Sequence, residues 1–452
     1  QITENQHLNL KNKLTRNMKC TTTIGCVKFT FLTLFFNFSF VIIGQEKYLN
    51  VQIPPVNNWY SSNECEPSIA INPFRPNEMA AGSIIAGYHY SSDSGKTWQS
   101  KELKSPYGVW GDPVVCYDSK GRLYYFHLAN YTKTSWIDRI VCQTSDKIEG
   151  EFTTGSFPKP NGTKAQDKHW VVIDPISDVV YMTWTQFDAY ASPDPKDSSF
   201  IMFSKSIDRG VSWTDPVRIS NYGGDCLDKD NTVEGAVPAL GKNGEIYVAW
   251  SGPRGLVFQK SLDYGKTWLK KERTISKHPG GWEFSIPGMD RANGLPFLVS
   301  DMSEGKNSGT LYLNWADQKN GKNNTDIWMK SSKDGGETWS DAVMVNQDKT
   351  KKHQFFTSIA IDQSNGDLHF VYYDRSRDNA DENKTEVVWC RSEDGGITFK
   401  SEIISTSAFI PTKEIFFGDY LGIAVNKGVV RPIWPRMDKQ KITLWTALIN
   451  FK

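Results

Sequence analysis

An eight-residue pattern, Ser-x-Asp-x-Gly-x-Thr-Trp, recurs along the chain and restricts its fold more than any other feature. Residues 91–98 read SSDSGKTW, 206–213 SIDRGVSW, 261–268 SLDYGKTW, 332–339 SKDGGETW and 392–399 SEDGGITF. The chemistry is that of a tight hairpin. The Asp accepts hydrogen bonds from N–H groups of its own turn, the Gly takes a positive φ, and the Ser and Thr add local partners. The aromatic residue then covers the turn with a large apolar face.

The starts at 91, 206, 261, 332 and 392 are 115, 55, 71 and 60 residues apart. The widest gap is two periods, and a degenerate copy, Thr144-Ser145-Asp146-Lys147, lies inside it. Repeats of about 40–60 residues with several strands each mean radial repetition, so the expected fold class is all-β, a β-propeller. Strand-like runs fill each period, among them Trp170-Val171-Val172-Ile173, Ile246 to Trp250, Thr310 to Trp315 and Leu368 to Tyr373. The last set, Tyr420 to Val425, Val429 to Trp434 and Ile442 to Leu448, has three strands and no box. A lone strand, Tyr48 to Ile53, is expected to supply its fourth and close the ring. That count favours seven blades, with six as the alternative.

The pattern is similar to the Asp box, or BNR repeat, of the sialidase (neuraminidase) superfamily, and the resemblance covers the chain from about Glu66 onward. It implies that the boxes join the outer strands of each blade, far from the central pocket, and are scaffold. It also implies a chemistry: a Tyr nucleophile activated by a Glu, an Asp acid/base, and three Arg on the substrate carboxylate. Guanidinium forks match a carboxylate bidentately. Asn231-Thr232-Val233-Glu234, followed by Arg254 and the box at Ser261, resembles the segment that carries the Glu and the second Arg. Tyr420, in Phe417-Gly418-Asp419-Tyr420, resembles the nucleophile segment, and Arg375 and Arg377 precede it at an inner-strand end. The front of the chain departs from the pattern: Phe74-Arg75-Pro76 falls in a turn, and Arg75 reads as a surface residue.

Independently of the resemblance, acids recur where inner strands begin: Glu66, Asp112, Asp167, Glu234 and Asp419. Like charges that converge shift one another's pKa values. The expected catalytic set is Tyr420, Glu234, Asp112 and Asp167, with Arg254, Arg375, Arg377, Arg436, Glu66 and His169 binding substrate. Glu234 is expected within hydrogen-bond reach of Tyr420. His169 also reads as a base of the kind found in propeller polysaccharide lyases. Three functions follow: a secreted glycoside hydrolase resembling exo-α-sialidase, a propeller polysaccharide lyase, or a non-catalytic propeller that binds glycan or protein.

A net charge of +1 argues against a nucleic-acid partner, so the expected partner is a glycan or polysaccharide, bound by a monomer. No Cys-x-x-Cys or His-x-x-x-His spacing points to zinc, and neither metal nor cofactor is expected. Lys28 precedes an apolar run over 29–44, which fits a signal peptide. Met18 reads as the true start. The expected division is 1–44 as upstream residues and signal peptide, then 45–452 as a single propeller domain, exported with no membrane span left after cleavage. Five cysteines follow residue 44, and an odd number leaves at least one unpaired. Cys116 and Cys142 read either as a pair or as separate buried thiols. Trp98, Trp213, Trp268 and Trp339 are expected to be largely buried.

Overall fold

The box hairpins build themselves from local hydrogen bonds. In the first, Ser91 Oγ donates to Asp93 Oδ1 at 2.8 Å and accepts from Gly95 N–H at 2.9 Å. Thr97 donates its N–H to Asp93 Oδ1 at 2.9 Å and its hydroxyl to Asp93 Oδ2 at 2.7 Å. The same bonds recur around Asp263, Asp334 and Asp394. Hydrogen bonds from the Thr hydroxyl and N–H hold the Asp263 and Asp334 carboxyls down at about 2.

The computed structural model describes residues 47–451 except 58–62, 133, 134, 136 and 280. The expected signal segment lies outside these. Seven antiparallel sheets of the described residues are the blades of a β-propeller, an eighth has only two short strands, and no helix is present among the described residues. Blade one holds Ser68–Ile71, Met79–Ser83, Gly87–Ser91 and Gln99–Glu102. The inner strands of blades two to six are Val114–Tyr117, Ala165–Ile173, Glu234–Leu240, Phe297–Ser300 and Gln354–Asp362. Blade seven combines Gly422–Asn426, Val429–Asp438 and Lys441–Asn450 with Leu49–Ile53, which pairs antiparallel to Lys441–Asn450. The early strand therefore closes the last blade.

Blade two carries the degenerate box. It has three strands, and its fourth is reduced to one bridge between Cys142 and Ser156. Where the box Gly and Trp are lost, the chain still turns back, with Thr153 N–H donating to Thr144 O at 3.0 Å, but no regular fourth strand forms.

The core lies between the blade faces. Trp184, Trp250, Trp315 and Trp434 stand on the second strands of four blades and are buried, with Tyr373 in the corresponding strand of blade six. The box aromatics act between blades. Trp213 meets Phe126 of blade two edge-on at 6.0 Å, Trp268 meets Phe203 of blade three at 5.0 Å, and Trp339 meets Phe258 of blade four at 5.6 Å. Of the box tryptophans only Trp98 is buried; Trp213, Trp268 and Trp339 are half-buried. Each of these three rings meets the preceding blade edge-on and stays partly exposed at the rim, which corrects the expectation that they are largely buried.

Arg431 staples the ring at its seam. Its Nε donates to Ser94 O in the first box at 3.0 Å, and its Nη1 donates to Ile449 O at 2.8 Å. The five cysteines of the propeller are all free thiols, so Cys116 and Cys142 do not pair.

Candidate functional site at the channel mouth

Strand direction sorts the loops onto two faces. Starts of inner strands and turns between second and third strands share one face, and the boxes lie on the other. The residues expected to act and the boxes are therefore on opposite sides of the ring.

The inner strands enter that first face through a repeated backbone device. Glu66, Asp112, Lys168 and Phe356 take φ values of 52°, 47°, 50° and 49°, and Gly235 and Gly418 take 70° and 88° at matching places. Non-glycine residues pay roughly 1 kcal/mol or more for this conformation. It recurs in six of seven blades and turns the polar side chains of the entry segments toward one another.

A compact charged cluster results. Lys168 Nζ pairs with Asp419 and lies 4.0 Å from Asp112 Oδ2. Arg291 Nε donates to Asp419 Oδ1 at 2.7 Å, its Nη2 donates to Asp419 Oδ2, and its Nη1 lies 3.9 Å from Asp228 Oδ2. Asn293 Nδ2 donates to the Asp419 carbonyl at 2.9 Å, and the Tyr190 hydroxyl donates to Asp228 Oδ2 at 2.8 Å. Glu66, Asp112, Asp167, Glu234 and Asp419 are all buried. Neither Glu234 oxygen, nor Asp112 Oδ2, nor either His169 nitrogen has a hydrogen-bond partner among the described residues.

Carboxylates outnumber cations here, and burial decides which stay charged. Desolvation, reinforced by Asp112, pushes Glu66 well above the usual carboxylate range. Desolvation and Asp228 do the same to Glu234. Asp167 is raised to about 8 by burial and by Asp112. Burial opposes charge on Asp419 too, but Lys168 and Arg291 outweigh it and hold its carboxyl far below the ordinary value. Burial works against the charge on Lys168, yet Asp112, Asp419 and Glu66 together raise it. His169 is lowered to about 4 by desolvation and is neutral at physiological pH. The cluster thus holds neutral carboxyl groups beside an ionised one. Among the described residues, no three Asp, Glu, His or Cys side chains are arranged to hold a metal ion.

The structure brings Glu66, Asp112, Asp167 and Glu234 together and adds Lys168, Asp228, Asp419 and Arg291. Tyr420 reaches the cluster from within the channel, where its ring meets Trp170 at 5.4 Å, and Trp170 meets Phe297 at 5.0 Å. Burial, then Asp112 and Glu66, push its phenol well above 10. No hydrogen bond joins Tyr420 to Glu234 among the described contacts, and the acids nearest in effect on Tyr420 are Asp112 and Glu66. The expected Glu234–Tyr420 hydrogen bond is therefore not formed: the charges that act most on Glu234 are those of Asp228 and Lys168, and those on Tyr420 are Asp112 and Glu66.

The four predicted arginines are engaged elsewhere. Arg254 lies 4.1 Å over the Tyr222 ring and 3.6 Å from Glu272. Arg375 is buried and donates to Pro287 O at 2.6 Å and to Asn383 Oδ1 at 3.1 Å. Arg377 lies 3.5 Å from Glu386, and Arg436 donates to Asp438 Oδ2 at 2.6 Å and to Ser407 O at 2.8 Å. Among the described residues none of these arginines pairs with a cluster carboxylate. Arg291, which does, comes from an insertion between blades four and five, where Glu283–Phe284 pairs with Ala292–Asn293. The 71-residue box gap marked that insertion. Lys168 lay between two residues that drew attention, Asp167 and His169.

No known protein family matches the chain by sequence profile, and no curated protein matches it by sequence. Solved structures do match in fold. A protein of unknown function from Dyadobacter fermentans is 12% identical over 90% of this chain and 99% of its own, with a TM-score of 0.50. An ulvan lyase of polysaccharide lyase family 25 is 11% identical over 88% of this chain and 96% of its own, with a TM-score of 0.52. A Hadza microbial sialidase is 12% identical over 83% of this chain and 73% of its own, at a TM-score of 0.44. What this chain shares with them is its fold: it is a seven-bladed β-propeller, with sialidases among the structures it matches.

Proposed function

We propose that the protein is an exported glycoside hydrolase whose reaction centre is the carboxyl cluster at the channel mouth. The observation that carries this reading is the convergence of five buried carboxyl groups, Glu66, Asp112, Asp167, Glu234 and Asp419, beside Lys168 and Arg291, where burial and Asp112 raise Asp167 to about 8. Glycosidic bond cleavage needs a proton donor and a carboxylate that act together. In this reading Asp167 protonates the leaving oxygen. Asp112 takes the proton of Tyr420 or of a water, since a phenol of raised pKa is a poor nucleophile without a base. Lys168, Arg291 and Asp419 form the fixed electrostatic frame. Glu66 and Glu234, both buried and both raised above the usual carboxylate range, back the reacting groups from behind.

The substrate we propose is a glycan other than a sialoside. The resemblance implies three arginines on the substrate carboxylate, whereas among the described residues Arg291 is the one arginine paired with the acids, and Asp419 already engages it. A lyase on acidic polysaccharide is the second reading, favoured by the neutral His169 with both ring nitrogens unpartnered. One screen separates the two. Exported protein is incubated with aryl glycosides, sialyllactose, ulvan, chondroitin and alginate, and products are assayed for new reducing ends and for the ultraviolet absorbance of unsaturated uronates. Reducing ends without unsaturation, abolished by Asp167→Asn, are expected. Unsaturated products lost in His169→Ala would replace hydrolysis with elimination, and release of sialic acid would refute the substrate assignment.

A further inference from the structure

The hairpin that carries Arg291 is, among the described residues, the one sheet outside the seven blades. It lies across the mouth face, tied down by segments of four blades. Glu283 N–H donates to Asp230 Oδ1 at 2.7 Å, in the segment that enters blade four. Gln318 Nε2, from blade five, donates to Ser285 O at 3.3 Å, and Arg375 Nη1, from blade six, donates to Pro287 O at 2.6 Å. Asn293 Nδ2 donates to the Asp419 carbonyl at 2.9 Å, just ahead of blade seven.

The two sides of this hairpin meet different surroundings. On one side Arg291 and Asn293 bond to Asp419 of the cluster. On the other, Glu283–Phe284 and the tip that follows border a cavity of about 640 Å³. Buried Phe284, Ile286 and Met289 close the inner side of that cavity. Lys322 and Asn323, in the turn between the second and third strands of blade five, stand exposed on its rim with Lys413, which precedes blade seven. Glu283 is the partner of Asn293 across the hairpin, and paired strands lie about 4.8 Å apart. The cavity and the cluster are therefore opposite sides of one two-stranded ribbon.

We propose that this cavity is a distal subsite of the reaction centre and that the substrate is a glycan chain of several units. One unit lies at the cluster, and those that follow cross the hairpin into the cavity. The cavity volume suits a small ligand, and its lining suits a sugar: apolar side chains for the C–H faces of the ring, and polar groups on the rim for its hydroxyls. Lys322 and Lys413 supply donors, and Asn323 supplies both a donor and an acceptor. The element that meets the distal units also holds Asp419, so binding energy gathered in the cavity bears on the geometry of the reacting groups. The subsite rests on the carbohydrate reading above, but its test reads binding rather than turnover.

Calorimetric titration of the Asp167→Asn protein, in which the chains stay intact, compares disaccharides, tetrasaccharides and hexasaccharides of cellulose, mannan, alginate, chondroitin and ulvan. In at least one series the hexasaccharide is expected to bind about tenfold more tightly than the disaccharide. Lys322→Ala combined with Lys413→Ala, both at exposed positions, is expected to erase that gain and leave the disaccharide affinity unchanged. Ser285→Trp, also at an exposed position, fills the cavity and is expected to do the same. The proposal is overturned if no series gains affinity with length, or if the gain survives in either variant. A gain made in the cavity, with no cleavage of the same chains by the parent protein, keeps the subsite and removes the hydrolase reading. Cleavage by the parent without any gain from length keeps the hydrolase reading and overturns the subsite.

Discussion

Replacing Asp167 by Asn tests the charge state of the cluster directly. Asn has the shape of a neutral Asp and keeps an oxygen to accept the Lys168 N–H, now bonded at 2.8 Å. In the unfolded chain Asp167 titrates near its ordinary 3.8; in the fold its pKa is about 8. Folding therefore takes up a proton throughout that window, and the stability of the parent falls as pH rises from 3.8 toward 8. At pH 7 the penalty is about three pKa units, or about 4 kcal/mol as an upper bound, since neighbouring carboxyls share the proton. Asn carries no such penalty. Asp167→Asn is therefore expected to be more stable than the parent by a few kcal/mol at pH 7, with the difference shrinking to near zero at pH 4. Urea unfolding at the two pH values measures it. Equal differences at both, or a variant less stable at pH 7, would refute the picture of a neutral Asp167. Loss of glycan cleavage in the same, more stable protein would mark this residue as one where function is held against stability.

Lys168→Met, which strips Asp419 of a buried partner, is expected to cost about 3–5 kcal/mol at neutral pH. Because Lys168 depresses the Asp419 pKa, the contribution is present above pH 4 and fades as pH falls through the lowered value, so the loss should narrow in acid unfolding curves. Trp339→Ala, at a half-buried ring, should cost about 2 kcal/mol, roughly half the figure for a fully buried aromatic, with glycan cleavage per folded molecule unchanged. Gly336→Ala would place a Cβ 2.3 Å from the Phe258 ring at φ +81°, whereas Gly309→Ala meets open space at φ +83°. The first should destabilise by about 3 kcal/mol and the second by about 1; equal midpoints in denaturant would show that the box does not press on the neighbouring blade.

The fold was legible because its signals are local. Each box carries its own hydrogen bonds, and the pairing of Leu49–Ile53 follows from counting strands against boxes. The ring of acids at the inner-strand starts was legible for the same reason, since radial symmetry brings equivalent positions together. The cations were not. Arg291 belongs to an insertion that breaks the repeat, so nothing periodic locates it. Arg254, Arg375, Arg377 and Arg436 stand near strand ends on the right face, but a long side chain from a rim position is captured by the nearest acceptor, such as Pro287 O or Asp438. The half-burial of Trp213, Trp268 and Trp339 was missed because burial depends on the neighbouring blade, which the local pattern does not describe.

The pairing of Leu49–Ile53 with Lys441–Asn450 has a consequence for how the molecule comes to exist. Six blades are contiguous in the chain and can form as they are synthesised, but the seventh needs one segment that precedes all six and others that follow them. Until then Leu49–Ile53 has no sheet to join, and blade one faces solvent where blade seven will stand. Contacts of such long sequence separation are slow to form. The unfinished ring therefore exposes unpaired strand edges for longer than any finished blade does, and this is the interval in which aggregation competes with folding. Arg431 bridges the same seam, from blade seven to the first box, so it acts only once closure has occurred and should slow opening rather than speed assembly.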